Sequence, residues 1–448
     1  MVMDRKRMLL VAYLFPPIGG GGVQRALKMA KYLGRFGWDV VVLTVDGAQH
    51  VSLDTSLLKQ IPEEVEIYRA REWVIPGLKL AGQSSRGRTE HNTSLESTIP
   101  IPLTRRILQR AKPVLRRLKE AVLIPDDQII WYSPAVKLGE KLIKEKGIDL
   151  IFSTSGPYTN HLVAKTLKQK TGLPWIADFR DPWTQNMHRP KLKWRLRLEE
   201  KMEREVVEQA DVLLTVTQSF ARNFRAKYGS SIKRLEVIHN GFDPEDYRQV
   251  QTSRLHPEKW TLVYTGIFYQ ERNPRLFLEC VAELIAEGKL DRQLLSIQFA
   301  GVFDYPGYSE NADCVERLGL KDVVHVWGSL PHRNALSLLM GADQLLLIGD
   351  VAPDSGAYIP GKLFEYMAVQ KPIFALTVEG ESSEIIRKHN LGRVIPPFDK
   401  VKIKQALQEE YEAWLRGEHR VIQAKDTSLY QRDNQARQLA ELANSLVN

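Results

Sequence analysis

A lysine and a glutamate stand three residues apart in the segment 359–368, which reads IPGKLFEYMA. Pro360 is tolerated in a first helical turn because its missing N–H would lack a partner there, and the apolar residues that follow recur at helical spacing. Lys362 and Glu365 then share a face near a helix start, beside unpaired N–H groups and the positive end of the helix dipole. This set suits a nucleotide, with phosphates at the donors and ribose hydroxyls at the carboxylate. An ordinary buried helix with a solvated Lys362–Glu365 pair fits the segment equally well.

A glycine-rich loop is the second candidate for anion binding. Residues 19–22 are all glycine, and they follow an apolar strand predicted over 8–15 and precede a helix predicted over 23–36. Without a Cβ, a backbone can approach a ligand closely, adopt positive φ and aim its N–H groups at an anion. The spacing does not match GxGxxG followed by a strand-end acid, which disfavours a nicotinamide cofactor. A merely flexible loop is the alternative.

Strand and helix patterns alternate along the chain in two successive sets, which must position these residues. A long charged helix is predicted over 191–208 in the first set, and a polar, irregular stretch precedes the second. The alternation predicts an α/β protein with two Rossmann-like, doubly wound domains. The expected boundaries are a first domain at 1–243, a linker at 244–259, a second domain at 260–425, and a C-terminal helix at 426–448 that packs back on the first domain.

Composition narrows the class of partner. The formal net charge of +9 favours anionic partners such as a nucleotide, a phospholipid surface or nucleic acid. Two cysteines provide neither a disulfide framework nor a metal-ligand spacing.

The apolar run after Arg5–Arg7 is short, ends in Pro16-Pro17 and lacks a cleavage pattern. It is therefore predicted to be a buried strand rather than a signal peptide. No run is long enough to span a bilayer, and a cytoplasmic location is expected.

A polar stretch at 76–100, predicted to be a mobile loop, precedes a basic segment at 103–122. In that segment arginines and lysines alternate with aliphatic residues, interrupted by Pro113. Such a pattern suits peripheral docking on the anionic inner face of the plasma membrane. A solvated cationic face on an ordinary pair of helices is about as consistent with it.

Four landmarks, in this order, resemble those of two-domain GT-B glycosyltransferases of the retaining family 4 type. They are the 19–22 glycine loop, the NGFD sequence at 240–243, the VHVWG sequence at 324–328 followed by Ala342-Asp343, and the Lys362–Glu365–Ala368 helix followed by Lys371-Pro372 and GESSE at 380–384. The resemblance implies two domains facing a central cleft, with the nucleotide-sugar held chiefly by the second domain and the acceptor by the first. It implies catalysis without a metal or other cofactor.

The resemblance also assigns roles to individual residues. Glu365 would bind the ribose, and Lys362 would lie near the phosphates. Arg272 falls where the family usually keeps a diphosphate-binding lysine, and arginine there retains the charge and adds bidentate geometry. His161 resembles a histidine that positions the donor hexose, although a capping or core histidine is nearly as consistent. The residues implied in donor binding are Gly20, Gly21, Asn240, Gly266, Arg272, Pro360, Gly361, Lys362 and Glu365.

Two positions carry less specific expectations. The family often has two glutamates separated by seven residues, and Ala357 stands where the first would be, so Asp350 and Asp354 are candidate substitutes. Arg180 and Asp181, in the sequence DFRDPW, are candidates for acceptor contact, with a structural Arg180–Asp181 pair as the alternative.

The resulting hypothesis is a retaining hexosyltransferase. It would move a sugar from a UDP- or GDP-linked donor to a lipid-linked or polysaccharide acceptor. The alternatives are a sugar-nucleotide epimerase of the same fold, which needs no acceptor, a phosphorylase, for which no pyridoxal phosphate site is evident, and a non-enzymatic polyanion binder. Nucleic acid is not an expected partner, because the basic residues are dispersed and no recognition motif accompanies them.

Overall fold

The computed structural model describes residues 5–46, 53–73, 121–186, 192–248, 250, 254–269, 272–418 and 426–447. The loop predicted at 76–100 lies outside the described residues, and so does the basic segment 103–122 apart from its last two positions. Contacts divide the chain into two compact units. The first comprises the described residues of Met1–Val216, Phe220–Ile238 and Gln435–Asn448, and the second those of Thr217–Ser219 and His239–Asn434.

The first unit is built on a parallel sheet, whose described strands run in the order β3-β2-β1-β4-β5-β6-β7. These strands are β1 (Lys6–Val11), β2 (Trp38–Val45), β3 (Glu66–Ala70), β4 (Leu150–Thr154), β5 (Trp175–Phe179), β6 (Val212–Thr215) and β7 (Leu235–Val237). The accompanying helices are α1 (Gln24–Leu33), α2 (Tyr132–Lys146), α3 (Thr159–Thr171), α4 (Lys193–Gln209) and α5 (Gln218–Tyr228). The central strands are apolar runs buried on both faces, as parallel sheets covered by helices require.

The second unit repeats the architecture, with its described strands in the order β10-β9-β8-β11-β12-β13, all parallel. They are β8 (Trp260–Thr265), β9 (Leu295–Ala300), β10 (Val324–Gly328), β11 (Gln344–Ile348), β12 (Ile373–Leu376) and β13 (Gly392–Ile395). Its helices are α6 (Arg275–Ala286), α7 (Glu310–Arg317), α8 (His332–Met340), α9 (Gly361–Val369), α10 (Glu381–Lys388) and α11 (Lys400–Leu415). Two Rossmann-like α/β units are therefore confirmed.

The last helix, α12 (Arg432–Val447), lies mainly in the first unit. Leu439 and Ala443 are buried in that unit's core. The indole N–H of Trp38 donates to the Asn444 side-chain oxygen at 3.2 Å. Residues 244–259, which the sequence predicts as a linker, belong by their contacts to the second unit and begin with a 3-10 turn at Pro244–Tyr247.

Five elements were not predicted from the sequence, namely the strands β3, β7 and β13 and the helices α5 and α10. β3, β7 and β13 are edge strands whose residues are mostly half-buried, so they mix polar and apolar side chains instead of forming an apolar run. The inward face of α10 contains a buried glutamate and two serines, which removes the apolar helical period. The first strand also runs over Lys6–Val11 rather than 8–15, in register with β2 from its first residue.

A buried ion pair ties α1 to the carboxyl end of β5. The Arg25 guanidinium donates to both oxygens of Asp178, at 2.7 and 2.8 Å, and also to the Ile238 carbonyl oxygen at 3.0 Å. Thr154 donates a further hydrogen bond to the carboxylate. Burial by itself raises the pKa of Asp178, but the Arg25 charge and these hydrogen bonds outweigh it, so the pKa lies below its usual value. Both charges of this pair are thus compensated.

Replacing Arg25 by methionine is expected to lower the free energy of unfolding by roughly 3–5 kcal/mol, because Asp178 is left as an unpaired buried carboxylate. Urea unfolding followed by circular dichroism measures the change. The control is Arg234→Met, which breaks an Arg234–Glu236 pair whose side chains are 44% and 43% exposed and is expected to cost less than about 1 kcal/mol. Equal losses in the two variants would contradict the assignment of Arg25–Asp178 as a compensated core pair.

Candidate functional site

The candidate site of the second unit lies where the strand order reverses, between β8 and β11. In open α/β sheets ligands bind at this point, at the carboxyl ends of the strands. Gly266 directly follows β8, Gly301 directly follows β9, and Lys362 lies in the first turn of α9, after β11. The topology therefore brings together the segments that contain Gly266, Gly301 and Lys362.

Two glycines make the approach of these segments possible. Gly301 has φ +118°, and a Cβ added there would lie 2.0 Å from the Gly266 carbonyl oxygen. Gly266 has φ +131°, and a Cβ there would lie 2.7 Å from Lys362 Nζ. Any side chain at Gly301 would collide with backbone, and one at Gly266 would displace the lysine. The predicted importance of Gly266 thus has a steric basis, while Gly301 was not predicted.

Lys362 carries the most unusual group of the site. Its Nζ is buried, sits 3.5 Å from the centroid of the Tyr264 ring, and has no hydrogen-bond partner among the described residues. Burial lowers the pKa of the amine well below its usual value, the neighbouring Arg272 charge lowers it further, and Glu365 acts in the opposite sense. A cation–π contact compensates a desolvated ammonium only in part. The position therefore favours the arrival of an anion.

Arg272 is held beside this lysine by backbone and aromatic contacts. Its guanidinium donates to the Ile267 carbonyl oxygen at 3.0 Å and stacks over the Tyr269 ring, 4.2 Å from the centroid. The Tyr269 hydroxyl donates to Asp350 at 3.4 Å, and the same carboxylate accepts the Ala352 N–H at 3.0 Å. Asp350 therefore supports the tyrosine under Arg272. The link of Asp350 to this cluster was not foreseen, whereas an aromatic partner for Arg272 could have been suspected from Tyr269, three residues before it.

The first turn of α9 presents the remaining predicted groups. Pro360 is the N-cap, with extended backbone (φ −65°, ψ 135°), so it precedes the helix rather than lying inside its first turn. No heavy atom lies within 4 Å of a Cβ built at Gly361, which leaves the helix start open. The Glu365 side chain is 36% exposed, and one of its oxygens lies 3.5 Å from His332 Nε2. Its carboxylate is accessible to a hydroxyl-bearing ligand.

The stretch before α9 contains Ala357, which stands where the family's first glutamate would be. Ala357 ends a 3-10 turn, Ser355–Ala357, and Asp354 before it adopts left-handed backbone with φ +67°. A Cβ at Gly380 would lie 2.2 Å from the Gly356 carbonyl oxygen, so this turn packs directly on the start of α10. Of the two aspartates considered as substitutes, Asp350 contacts the residues around Arg272, through the Tyr269 hydroxyl.

In the first unit, the glycine loop and the DFRDPW segment meet at the carboxyl edge of the sheet. Gly20 has φ +98°, and no heavy atom lies within 4 Å of a Cβ built at Gly20 or Gly21. Arg180 donates to the Gly22 carbonyl oxygen at 3.0 Å and pairs with Asp181 at 3.2 Å. The structural pair considered for Arg180 and Asp181 is therefore present, and Arg180 also fixes the end of the glycine loop, which the sequence did not predict.

His161 is enclosed in the core rather than open to a ligand. Its ring is fully buried and stacks on Phe179 with centroids 4.4 Å apart. Nδ1 lies 2.8 Å from the Ser153 hydroxyl, which also accepts the Trp175 indole N–H. Burial lowers the pKa of His161 to about 3, against the opposing effect of Asp178. The inward face of α3 packs on β5, and the structure thus places His161 in the core position that the sequence analysis gives as the alternative.

Asn240 was predicted to bind the donor, whereas Asp126 is a polar anchor that was not predicted. Asn240 lies in the second unit, between β7 and the Pro244–Tyr247 turn, two residues before Phe242, whose N–H donates to the Tyr430 carbonyl oxygen. Asp126, which the sequence did not single out, accepts from the Tyr158 N–H at 2.7 Å and from the Thr159 hydroxyl at 2.6 Å. It thereby anchors the start of α3.

A cavity of about 440 Å³ occupies the opposite edge of the second sheet. It is lined by Trp260 and Gln344, which begin β8 and β11, and by Trp414 of α11. The predicted residues lie at the carboxyl ends of these strands, so the cavity is separate from the candidate site.

Two family models, both of glycosyl transferase domains, match this chain. A family model described as glycosyl transferase 4-like domain matches residues 20–241, and one described as glycosyl transferases group 1 matches residues 259–412. A search of the curated proteins finds no match.

Solved structures share the fold over nearly the whole chain. Sucrose-phosphate synthase from Thermosynechococcus elongatus is 16% identical, with 99% of both chains covered and a TM-score of 0.61. Anabaena HepE, determined in complex with UDP and glucose, is 15% identical, with 99% of this chain and 100% of that chain covered and a TM-score of 0.61. A putative UDP-N-acetylglucosamine 2-epimerase from Listeria monocytogenes is 14% identical, with 98% and 96% covered and a TM-score of 0.54.

At such identities the likeness concerns the fold, which transferases and an epimerase share, whereas the two family models concern the sequence itself. The chain therefore belongs to the glycosyltransferases, as a GT-B protein that joins a 4-like domain to a group 1 domain.

Proposed function

We propose that this glycosyltransferase moves a hexose-type sugar from a UDP- or GDP-linked donor to a lipid-linked or polysaccharide acceptor, with retention of anomeric configuration. It would act in cell-surface glycan synthesis and would require neither a metal nor another cofactor. One observation carries the proposal: the buried ammonium of Lys362 lacks an anionic partner among the described residues and lies beside a second cation, Arg272. A diphosphate is the ligand that would compensate both.

The reaction breaks the bond between the anomeric carbon and the oxygen of the diphosphate. Negative charge then develops on that oxygen, and Lys362, Arg272 and the open N–H groups at the start of α9 would stabilise it. Fixed charges and dipoles aimed at developing charge are commonly the largest single contribution to catalysis. Glu365, one turn along the same helix, would accept hydrogen bonds from the ribose hydroxyls.

Retention is proposed to follow from front-face attack by the acceptor. The acceptor hydroxyl would approach on the side from which the diphosphate departs, and the departing phosphate would take its proton. The position of the family's first glutamate is Ala357, which offers no carboxylate for a covalent intermediate. The anomeric configuration of the product, determined by NMR, would distinguish retention from inversion.

The acceptor side is proposed to lie in the first unit, with Arg180 and Asp181 near the acceptor and the glycine loop. The basic segment 103–122 is proposed to contact an anionic membrane, which would place the enzyme on the inner face of the plasma membrane. No helix among the described residues is both long enough and apolar enough to cross a bilayer.

An epimerase is the main alternative to a transferase. It would convert a UDP-sugar to its isomer without any acceptor.

Removing Lys362, Arg272 or Glu365 is expected to lower transfer strongly. Lys362→Met, Arg272→Ala and Glu365→Ala should each reduce kcat/KM for the donor by at least roughly 10²-fold, because each deletes an electrostatic contact to the leaving group or the donor. Nucleoside diphosphate release, assayed with EDTA present, measures the change. Lys371→Met, just beyond α9, is the control and should retain activity. Near-normal turnover in the three site variants would refute the assignment.

Donor binding is expected to take up a proton at Lys362. Burial and Arg272 lower the pKa of this amine in the empty protein, whereas a bound diphosphate favours the ammonium and raises the pKa. Affinity for UDP should therefore fall as the pH rises above the lowered pKa. Calorimetry in buffers of different ionisation enthalpy gives the number of protons taken up. The Lys362→Met variant should lack the proton uptake that comes from Lys362. Identical proton uptake by the parent protein and this variant would contradict the assignment of Lys362 to the diphosphate.

The same substitution is expected to stabilise the protein without ligand. Lys362→Met removes an unpaired buried cation while preserving length and apolar volume, so the melting temperature of the empty protein should rise by a few degrees, on the order of 1–2 kcal/mol. UDP should raise the melting temperature of the parent protein and leave that of the variant nearly unchanged. The control is Lys141→Met on α2, whose exposed side chain predicts no shift. A destabilised Lys362→Met protein would mean that the charge is compensated.

A further inference from the structure

Helix α4 has its charged residues on the inward face. Arg195, Glu199 and Glu203 are 7%, 3% and 0% exposed. Arg195 pairs with Glu199 at 2.6 Å and donates to the Pro125 carbonyl oxygen, while Glu203 accepts from the Tyr228 hydroxyl at 2.6 Å. The side that normally carries apolar residues is therefore occupied by a satisfied polar network.

The outward face of the first half of α4 is apolar at its centre. Trp194 and Leu198 are 51% and 43% exposed, and they are four residues apart, so they lie side by side on the helix surface. Leu192, directly before the helix, is also 43% exposed. Since the buried face is already filled by charged residues, core packing does not account for this stripe.

Cations line the same face. Lys193, Arg197 and Lys201 recur every four residues and are exposed. Within the part of the chain that the structure describes, none of the three forms an ion pair, whereas the acids Glu199 and Glu203 point inward. The surface of α4, defined by Trp194, Leu198 and these three cations, therefore combines apolar side chains with cations that form no ion pair among the described residues.

We propose that this α4 surface docks on an anionic lipid bilayer. The helix would lie flat at the interface, with Trp194 and Leu198 among the headgroups and upper acyl chains and the three cations on anionic phosphates. Tryptophan is favoured at membrane interfaces, and basic amphipathic helices bind there through combined apolar and electrostatic attraction. A nucleic acid would contact the cations but would offer no apolar contact for Leu198. An anionic bilayer offers contacts for both the cations and the apolar side chains.

The fold connects this surface to the proposed acceptor side. Glu199 accepts the Trp183 indole N–H at 3.1 Å, and Trp183 stacks on Tyr158 with ring centroids 5.0 Å apart. Trp183 belongs to the DFRDPW segment, whose Arg180 holds the glycine loop. If the acceptor is lipid-linked, as the proposed function holds, docking through α4 would bring this edge of the first unit to the membrane that contains it.

The test is binding of the full-length protein to vesicles of phosphatidylcholine alone or mixed with phosphatidylglycerol, by cosedimentation. Trp194→Ser/Leu198→Ser should lower the partition coefficient on mixed vesicles at least about tenfold. The control Val401→Ser/Leu415→Ser removes apolar residues of α11 that are 76% and 53% exposed and should bind as the parent does.

The electrostatic contribution to vesicle binding is tested with a second pair of variants. Lys193→Gln/Arg197→Gln/Lys201→Gln should lose most of the dependence on phosphatidylglycerol and on salt. Lys137→Gln/Lys141→Gln/Lys144→Gln removes the same charge from the exposed face of α2 and should keep that dependence, which separates local docking from the effect of net charge. Circular dichroism and melting temperature confirm that each variant is folded.

Three outcomes would overturn the proposal. One is equal vesicle binding by the parent and both α4 variants, and a second is binding that ignores anionic lipid. The third is a change of oligomeric state in Trp194→Ser/Leu198→Ser, seen by sedimentation velocity without a change in vesicle binding, which would make the surface a subunit interface. Vesicle binding requires no turnover, so its failure is distinguishable from failure of the proposed transfer reaction.

Discussion

The second unit depends on the buried amine of Lys362, which has no hydrogen-bond partner among the described residues. Lys362 Nζ reaches its position only because Gly266 has no side chain, and Gly266 in turn lies against Gly301 at a distance that excludes a Cβ. The parallel sheet supplies the rest, since the reversal of strand order places the ends of β8 and β11 next to each other. Desolvation of a charge is costly, so a position that maintains it without a partner stores binding free energy for an anion. The other features of this edge surround that amine: the Tyr264 and Tyr269 rings lie under Lys362 and Arg272, and the start of α9 is open.

The two units treat buried charge in opposite ways. In the first unit Arg25 and Asp178 satisfy one another completely, and Thr154 and the Ile238 carbonyl oxygen complete the network. The polar face of α4 is likewise filled by its own partners. These charges hold the elements that flank the glycine loop, and the two members of the Arg25–Asp178 pair are occupied by each other. Arg180 is intermediate, because it is only partly buried and its bonds to Gly22 and Asp181 fix a loop that is otherwise open.

The central strands, the glycine loop and the α9 helix with Lys362 and Glu365 could be predicted because each rests on a local pattern. Buried parallel strands are continuous apolar runs, and a helix with one buried face has a clear period. Edge strands such as β3 and β13 mix polar and apolar residues, so the pattern disappears there. α4 was predicted as a charged helix, but sequence periodicity assumes that apolar residues point inward, and here the network of Arg195, Glu199 and Glu203 reverses that rule. The enclosure of His161 depends on the packing of α3 against β5, which no local pattern encodes.

Arginine rather than lysine at position 272 has a consequence for ligand choice. The Arg272 charge lowers the pKa of Lys362, so the two cations oppose one another in the empty protein. A neutral sugar would relieve none of this repulsion, and a single phosphate placed at one cation would relieve only part of it. A diphosphate has a charged group for each cation and can bridge them, with the fork of Arg272 binding oxygens bidentately. Once the sugar departs, the extra negative charge of the leaving diphosphate would interact with both cations more strongly than the intact donor does. The arrangement would therefore favour the transition state over the bound substrate, which is the condition for accelerating the chemical step rather than merely tightening binding.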